Sequence, residues 1–325
     1  MINKEIIEKN LENCLIETNF DQLGKKYNGK VRDTYEMDGK LVLITTDRQS
    51  AFDRVLAAIP FKGQVLNQVS QFWFEQTKDI VQNHVLSIPD PNVTIGKKSE
   101  VFPVEFVMRG YLTGVTSTAV WTAYEKGERD FCGNILPEGM VKNQAFDKPI
   151  ITPTTKSDEH DEKISPEEIV QRGLMSQEDW DKCADIAMQL FVRGQEIAKK
   201  NGMILVDTKY EMGKDKNGEI ILVDEIHTPD SSRYWVADSF EAKLAAGKEP
   251  DNIDKEFLRL WFTENCDPYN DETLPEAPKE LVVELSARYI QLYEAITGQE
   301  FQYPDISKPV IDRITENLKQ EFPEL

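Results

Sequence analysis

Two acids close a strand that is otherwise apolar. In residues 221–235, ILVDEIHTPDSSRYW, the run ILV meets Asp224 and Glu225 and then a loop of Pro, Asp, Ser and Arg. Just upstream, the stretch ILVDTKYEMGKDKNGE carries Asp207, Lys209 and Glu211 at alternate positions, and strand alternation puts all three on one face. The Asn217-Gly218 pair predicts a two-residue turn. That turn sets Lys216 against Glu219 and Glu211 directly against Asp224. Two like charges at about 5 Å repel by roughly 3 kcal/mol at an effective dielectric near 20, so a cation belongs between them. Mg2+ carried by a nucleotide suits the place, because it takes one or two carboxylates and completes its shell with phosphate oxygens and water. The competing reading is an exposed acidic hairpin in an acidic protein. Residues 220–223 are apolar on both faces, which argues for burial.

A phosphate needs cations and amides. The segment NGKVRD offers Gly29, with Lys30 and Arg32 on one face of an extended strand, enough to bind phosphate. A single glycine also suits an ordinary surface turn. Arg109, at the end of EFVMRG, and Arg233, after PDSS, are candidate forks for a phosphate or carboxylate; each alone equally suits a salt bridge. Lys156 in TPTTKSDEHDE is an anion contact or a solvated loop lysine. His227 has no partner at ligand or triad spacing and reads as structural, while His160 beside Asp161 is undecided. SAFDR at Ser50 is either a helix start with Asp53 in its first turn or a substrate loop.

The whole chain constrains these readings. Its 325 residues, 40% hydrophobic, can bury a sizeable core in one large or two smaller domains. No apolar run approaches the roughly 20 residues of a membrane helix, and MINKEIIEKNLENC has the character of neither a signal nor a transit peptide; the expected compartment is the cytoplasm. The four cysteines (Cys14, Cys132, Cys183, Cys266) form no CxxC pair, so neither a zinc site nor a disulfide framework is expected. A formal net charge of −20 repels nucleic acid and anionic membrane. An anionic substrate must then be held by local basic clusters.

Several elements must position these residues. VRDTYEMDGKLVLITTD predicts a hairpin around Asp38-Gly39, and GQVLNQVSQFWFEQTKDIVQN a packing helix from Gly63 to about Asn83. VEFVMRG reads as a strand and TSTAVWTAYEKG as a helix closed by glycine. Residues 127–165 show little periodicity and read as a functional loop. SPEE is a capping box with Ser165 as N-cap, and SQED at Ser176 starts a longer helix running to Lys200. Beyond Val236 the pattern is mostly helical, a packing and assembly surface in which a homo-oligomer is left open.

Taken together, GKVRDTYE, TTDRQSAFDRVL, IPFKGQVLNQ, EFVMRGYLTG, ITPTTKSDEHDEKIS, LVDTKYEMG and LVDEIHTPDSSRYW closely resemble the phosphoribosylaminoimidazole-succinocarboxamide synthase (SAICAR synthetase) family, in the expected order from about Asn19 to Gly298. The resemblance implies an α+β, two-lobed fold related to ATP-grasp and protein-kinase architectures, with ATP in the interlobe cleft. It places an N-terminal β-rich lobe with the phosphate loop at 1–110 and a larger α+β lobe with the metal and substrate site at 111–298; residues 299–325 lie beyond the match and read by their periodicity as a helical extension. It implies an ATP-dependent ligase joining the carboxylate of carboxyaminoimidazole ribonucleotide (CAIR) to the amino group of L-aspartate, with Mg2+ as cofactor. By motif, Gly29, Lys30 and Arg32 would bind ATP phosphates, Glu211 and Asp224 would hold Mg2+, and Lys209 would help fix the nucleotide. Arg109, Asp230 and Arg233 would bind the ribose and phosphate of CAIR, with Lys156 near the reacting carboxylate. The chain departs from the family pattern after GYLTG, where Val115 stands in place of a serine. The phosphate-binding hydroxyl is then Ser117 or Thr116, or is absent. A kinase-like phosphotransferase or a non-catalytic nucleotide-binding module are the rival functions. No HRD or DFG pattern occurs, and retention of Glu211 and Asp224 speaks against a module that has lost catalysis.

Overall fold

The computed structural model describes residues 2–52, 54–116, 118–156, 162–253 and 256–325. Asp53, Ser117, His160 and Asp161 lie outside them. The chain forms two compact units: residues 1–72, 84–98 and 253–325, and residues 73–83 and 99–252. The expected boundaries after 110 and 298 differ from this division, because residues 253–325 return to the first unit.

In the first unit, β1 (Lys25–Asn28), β2 (Arg32–Met37) and β3 (Lys40–Thr45) run as an antiparallel meander. A separate ribbon pairs β4 (Arg48–Ala51) with β5 (Arg54–Ala58). β6 (Val85–Asp90) and β7 (Val93–Lys97) complete the five-stranded sheet in the order β1-β2-β3-β7-β6. The Asp38-Gly39 turn forms as expected, with φ of 49° and 75°, the two left-handed residues of a type I′ turn. The core beneath the sheet joins Leu15, Phe20, Tyr35, Val42, Ile44 and Val93 to Ile314 and Leu318 of the helix Val310–Leu318. The last residues are therefore part of this core, fastened by Arg313, whose Nε and Nη2 donate to Asp90 at 3.0 and 3.1 Å.

In the second unit, β8 (Glu100–Val101) and β9 (Val104–Tyr111) precede a small ribbon of β10 (Asp130–Phe131) and β11 (Asn134–Ile135). β12 (Ala145–Ile151) and β13 (Thr154–Thr155) pair with β9. Residues 127–165 thus supply strands where the sequence reads as aperiodic loop; these strands are short or irregular and mostly half-buried or exposed, so no clean alternation marks them. β14 (Met203–Lys214) is the centre, paired with β9, β8, β15 (Ile220–Val223) and β16 (Ser232–Val236). The helix Gln177–Lys200 packs on β14 and β9. Its Ser176 cap and the Ser165–Glu168 capping box form as expected. The helix expected to reach Asn83 runs only Lys62–Thr77, since Thr77 Oγ1 turns back onto Trp73 O at 2.7 Å and Ile80 N bonds Thr77 O in a tight turn. Among the described residues no helix is long and apolar enough to cross a membrane.

Candidate active site

The hairpin of β14 and β15 is shifted by one residue from the expected register. Asp215 stands opposite Glu219, with Asp215 N donating to Glu219 O at 2.9 Å, and the loop is Lys216-Asn217-Gly218. The Asp215 carboxylate accepts from the amides of Asn217 (2.8 Å) and Glu219 (3.0 Å), which selects a three-residue loop with Gly218 at φ 82° over the two-residue turn. Glu211 consequently faces Val223, not Asp224. A one-residue slip would send Asp224 to the other face. Asp224 instead leaves the strand in the left-handed region, at φ 62°, and its charge still acts on both Glu211 and Lys209.

Around Glu211, Glu105 and Asp224 meet Lys156 and Lys209. Its buried carboxylate pairs with Lys156 through Oε2 and with Lys209 Nζ at 3.3 Å through Oε1. Lys209 Nζ also meets Glu105 Oε1 at 2.5 Å, and Glu105 Oε2 accepts from Thr154 Oγ1 at 3.2 Å. Burial and the nearby Asp224 push the Glu211 carboxyl above its ordinary value, while Lys209 and Lys156 pull it back. For Lys209, burial disfavours charge, but Glu211, Glu105 and Asp224 together hold the ammonium well above the ordinary lysine range. Glu105 was not singled out by the sequence; the signal was one acid inside the apolar strand PVEFVMRG.

Near the other end of β14 one acid lies between two bases. Asp207 pairs with Arg109 across the sheet and with Arg233 on β16. Arg233 donates from Nε to Asp207 Oδ1 at 3.1 Å and pairs through Nη2 with Oδ2 at 2.8 Å. Arg109 is buried; its Nε donates to Thr152 Oγ1 at 2.8 Å, its Nη2 to Thr118 O at 3.2 Å, and its Nη1 lies 3.9 Å from Asp207 Oδ2. Gly114, at φ 101°, lets the chain pass close to Arg233: a Cβ there would lie 2.7 Å from Ala119 Cβ and 3.1 Å from Arg233 Nη2. Asp230 sits in a loop tied by Thr228 Oγ1, which accepts from the amides of Asp230 (3.3 Å) and Ser231 (3.2 Å). His227 is structural, as expected. It is fully buried, its Nε2 lies 2.5 Å from Tyr210 Oη, its ring meets Trp73 edge-on, and burial pushes its pKa down to about 3.

In the first unit, Gly29, Lys30 and Val31 form the turn between β1 and β2. Lys30 is therefore in a bend, not on the strand face with Arg32. The Gly29 amide donates to Arg32 O at 2.8 Å, so it closes the turn and is not among the donors left for an anion.

Solved structures define the class. A SAICAR synthase from Saccharomyces cerevisiae, complexed with SAICAR, matches with a TM-score of 0.78 and 34% identity over 89% of this chain and 100% of that one. A SAICAR synthetase (Type-2) in complex with ADP matches with a TM-score of 0.65 and 26% identity over 86% and 100%. The fold is thus the α+β fold of the SAICAR synthases. In sequence, the SAICAR synthetase family model matches residues 25–275. A phosphoribosylaminoimidazole-succinocarboxamide synthase from Legionella pneumophila (strain Lens) is 60% identical over 306 residues, 94% of this chain and 98% of that protein. The chain belongs to the SAICAR synthetase family. It is a ligase of purine biosynthesis that forms a carbon–nitrogen bond between CAIR and L-aspartate, with ATP as co-substrate.

Proposed function

We propose that the acid-rich and base-rich ends of β14 divide the work of this ligation. Glu211 and Asp224 hold Mg2+, and the donor set fits: two carboxylates, one of them pushed towards protonation by its burial and then by the other, match an ion that prefers one or two carboxylates with phosphate oxygens. When bound, the ion would offset charge on the transferred phosphoryl group. Lys30 and Arg32 contact the ATP phosphates from the turn that Gly29 closes, and Lys209 fixes the nucleotide. Arg109, Asp230 and Arg233 orient CAIR through its ribose and phosphate, with Ser117 as the hydroxyl on that phosphate, and Lys156 steadies the reacting carboxylate. Four free cysteines suit a reducing compartment, in keeping with the cytoplasm.

A free carboxylate is a poor electrophile, so activation must come first. A CAIR carboxylate oxygen attacks the γ-phosphorus of ATP, the bond to ADP breaks, and an acyl phosphate results. The aspartate amine then attacks the acyl carbon, phosphate departs with that oxygen, and the nitrogen gives up a proton as the amide forms. Holding both reactants in line is the protein's main contribution. The observation that carries this reading is that, on one strand, Asp207 lies between two guanidiniums while Glu211 lies with Glu105 and Asp224 around Lys209. With both carboxylate oxygens of CAIR labelled by 18O, one label should appear in inorganic phosphate per amide formed. Unlabelled phosphate, or AMP with pyrophosphate, would overturn the route.

A further inference from the structure

The turn at residues 29–31 has every carbonyl held from within the first unit. Val31 O accepts from Thr46 N at 2.9 Å and from Thr46 Oγ1 at 2.8 Å. Gly29 O accepts from Arg48 Nη2 at 2.9 Å and Lys30 O from Arg48 Nε at 3.3 Å. The same guanidinium donates from Nη1 to Ile16 O at 2.5 Å and from Nη2 to Asp33 Oδ1 at 2.8 Å. Arg48 is 8% exposed and Asp33 fully buried. Burial alone would oppose ionisation of Asp33, yet bonds from Thr18 and Arg48 hold its carboxyl below the ordinary range. Arg48 is thus a planar fork whose donors reach three carbonyls and a carboxylate that Lys26 also meets, a geometry that an ammonium cannot reproduce.

Closing the turn does not require this fork, because Gly29 N already bonds Arg32 O at 2.8 Å. What the fork adds is control of the carbonyl dipoles. An anion bound at a turn is attracted by N–H groups and cations and repelled by C=O oxygens. Oxygens held by a buried guanidinium are directed into the protein, away from an arriving phosphate.

We propose that Arg48 is a positioning residue for ATP: it draws the carbonyls of Gly29 and Lys30 inward so that the turn presents only attractive groups to the phosphates. The inference rests on the reading of Lys30 and Arg32 as phosphate contacts, and the two are separable. Arg48→Lys should raise KM for ATP about tenfold, equivalent to about 1.4 kcal/mol, while KM for CAIR and for L-aspartate stays within about twofold. Equal losses for all three substrates with a lower melting temperature would make Arg48 a brace only and overturn the proposal. Should Arg48→Lys fail to fold, Thr46→Val keeps the backbone bond to Val31 O and loses the hydroxyl bond; about a threefold rise in KM for ATP alone is expected, and an unchanged value overturns the proposal. Lys30→Ala separates the levels. An unchanged KM for ATP there overturns the phosphate-turn reading and this inference with it. A raised value there, with a uniform or absent effect at Arg48, overturns this inference alone.

Discussion

Asp207 and Glu211 lie four residues apart on β14, about 13 Å along a strand, yet each has the opposite company. Asp207 is one carboxylate between two guanidiniums. Glu211 is one of three carboxylates, with Glu105 and Asp224, around two ammoniums. The company differs in sign: basic side chains flank Asp207, and two further acids lie near Glu211. On the proposed reading, the contrast separates two ligands along one strand: an anion at Arg109 and Arg233, a cation at Glu211 and Asp224.

The largest test removes an acid from the Glu211 end. Glu211→Gln and Asp224→Asn should each lower kcat by on the order of a thousandfold, about 4 kcal/mol, while the melting temperature holds or rises because the mutual repulsion is gone. Ordinary turnover in either variant, measured at saturating ATP and usual Mg2+, breaks the comparison. The next concerns the cationic end. Arg233→Lys should lower kcat/KM for CAIR by roughly 30-fold, about 2 kcal/mol, and leave KM for ATP nearly unchanged; equal losses for the two would take Arg233 away from the substrate.

A third test sharpens the contrast by removing a base from the Glu211 end. Lys209→Met leaves Glu105 and Glu211 short of a partner and should cost on the order of 5 °C in melting temperature. Millimolar Mg2+ should raise the melting temperature of this variant more than that of the parent; no differential response would argue against cation binding at this end. The smallest effect is a slope. His227 backs the acidic end through Tyr210, and its folded pKa of about 3 lies below the ordinary 6.5. The unfolded chain therefore takes up the proton first, so this part of the stability is complete above about pH 6.5 and falls away towards pH 3, by at most about 1.4 kcal/mol per pH unit. His227→Gln should flatten the acid limb of a stability profile measured by denaturant unfolding between pH 7 and 4.

What could be read in advance was what depends on neighbours in sequence. The caps at Ser165 and Ser176 and the Asp38-Gly39 turn are local chemistry, and they formed. The acid and base residues of β14 were legible because strand alternation is local too. The register of its hairpin was not, because the Asp215 carboxylate bonds two amides ahead of it and overrides the Asn-Gly signal. Glu105 escaped because its meaning comes from Lys209, more than a hundred residues away. The place of Ile314 and Leu318 in a core built around Tyr35 and Val42 likewise depends on contacts that no window of sequence contains.

That last feature has a consequence for how the polypeptide is made. Everything in the second unit has been translated once residue 252 is added, whereas the first unit still lacks residues 253–325. At roughly 5–20 residues per second, these 73 residues take about 4–15 s to synthesise. Throughout that interval Leu15, Phe20 and Val93 have no Ile314 or Leu318 to cover them. The middle of the message is therefore complete while the apolar side chains near the beginning of the chain still wait for their cover, open in that interval to chaperones and proteases.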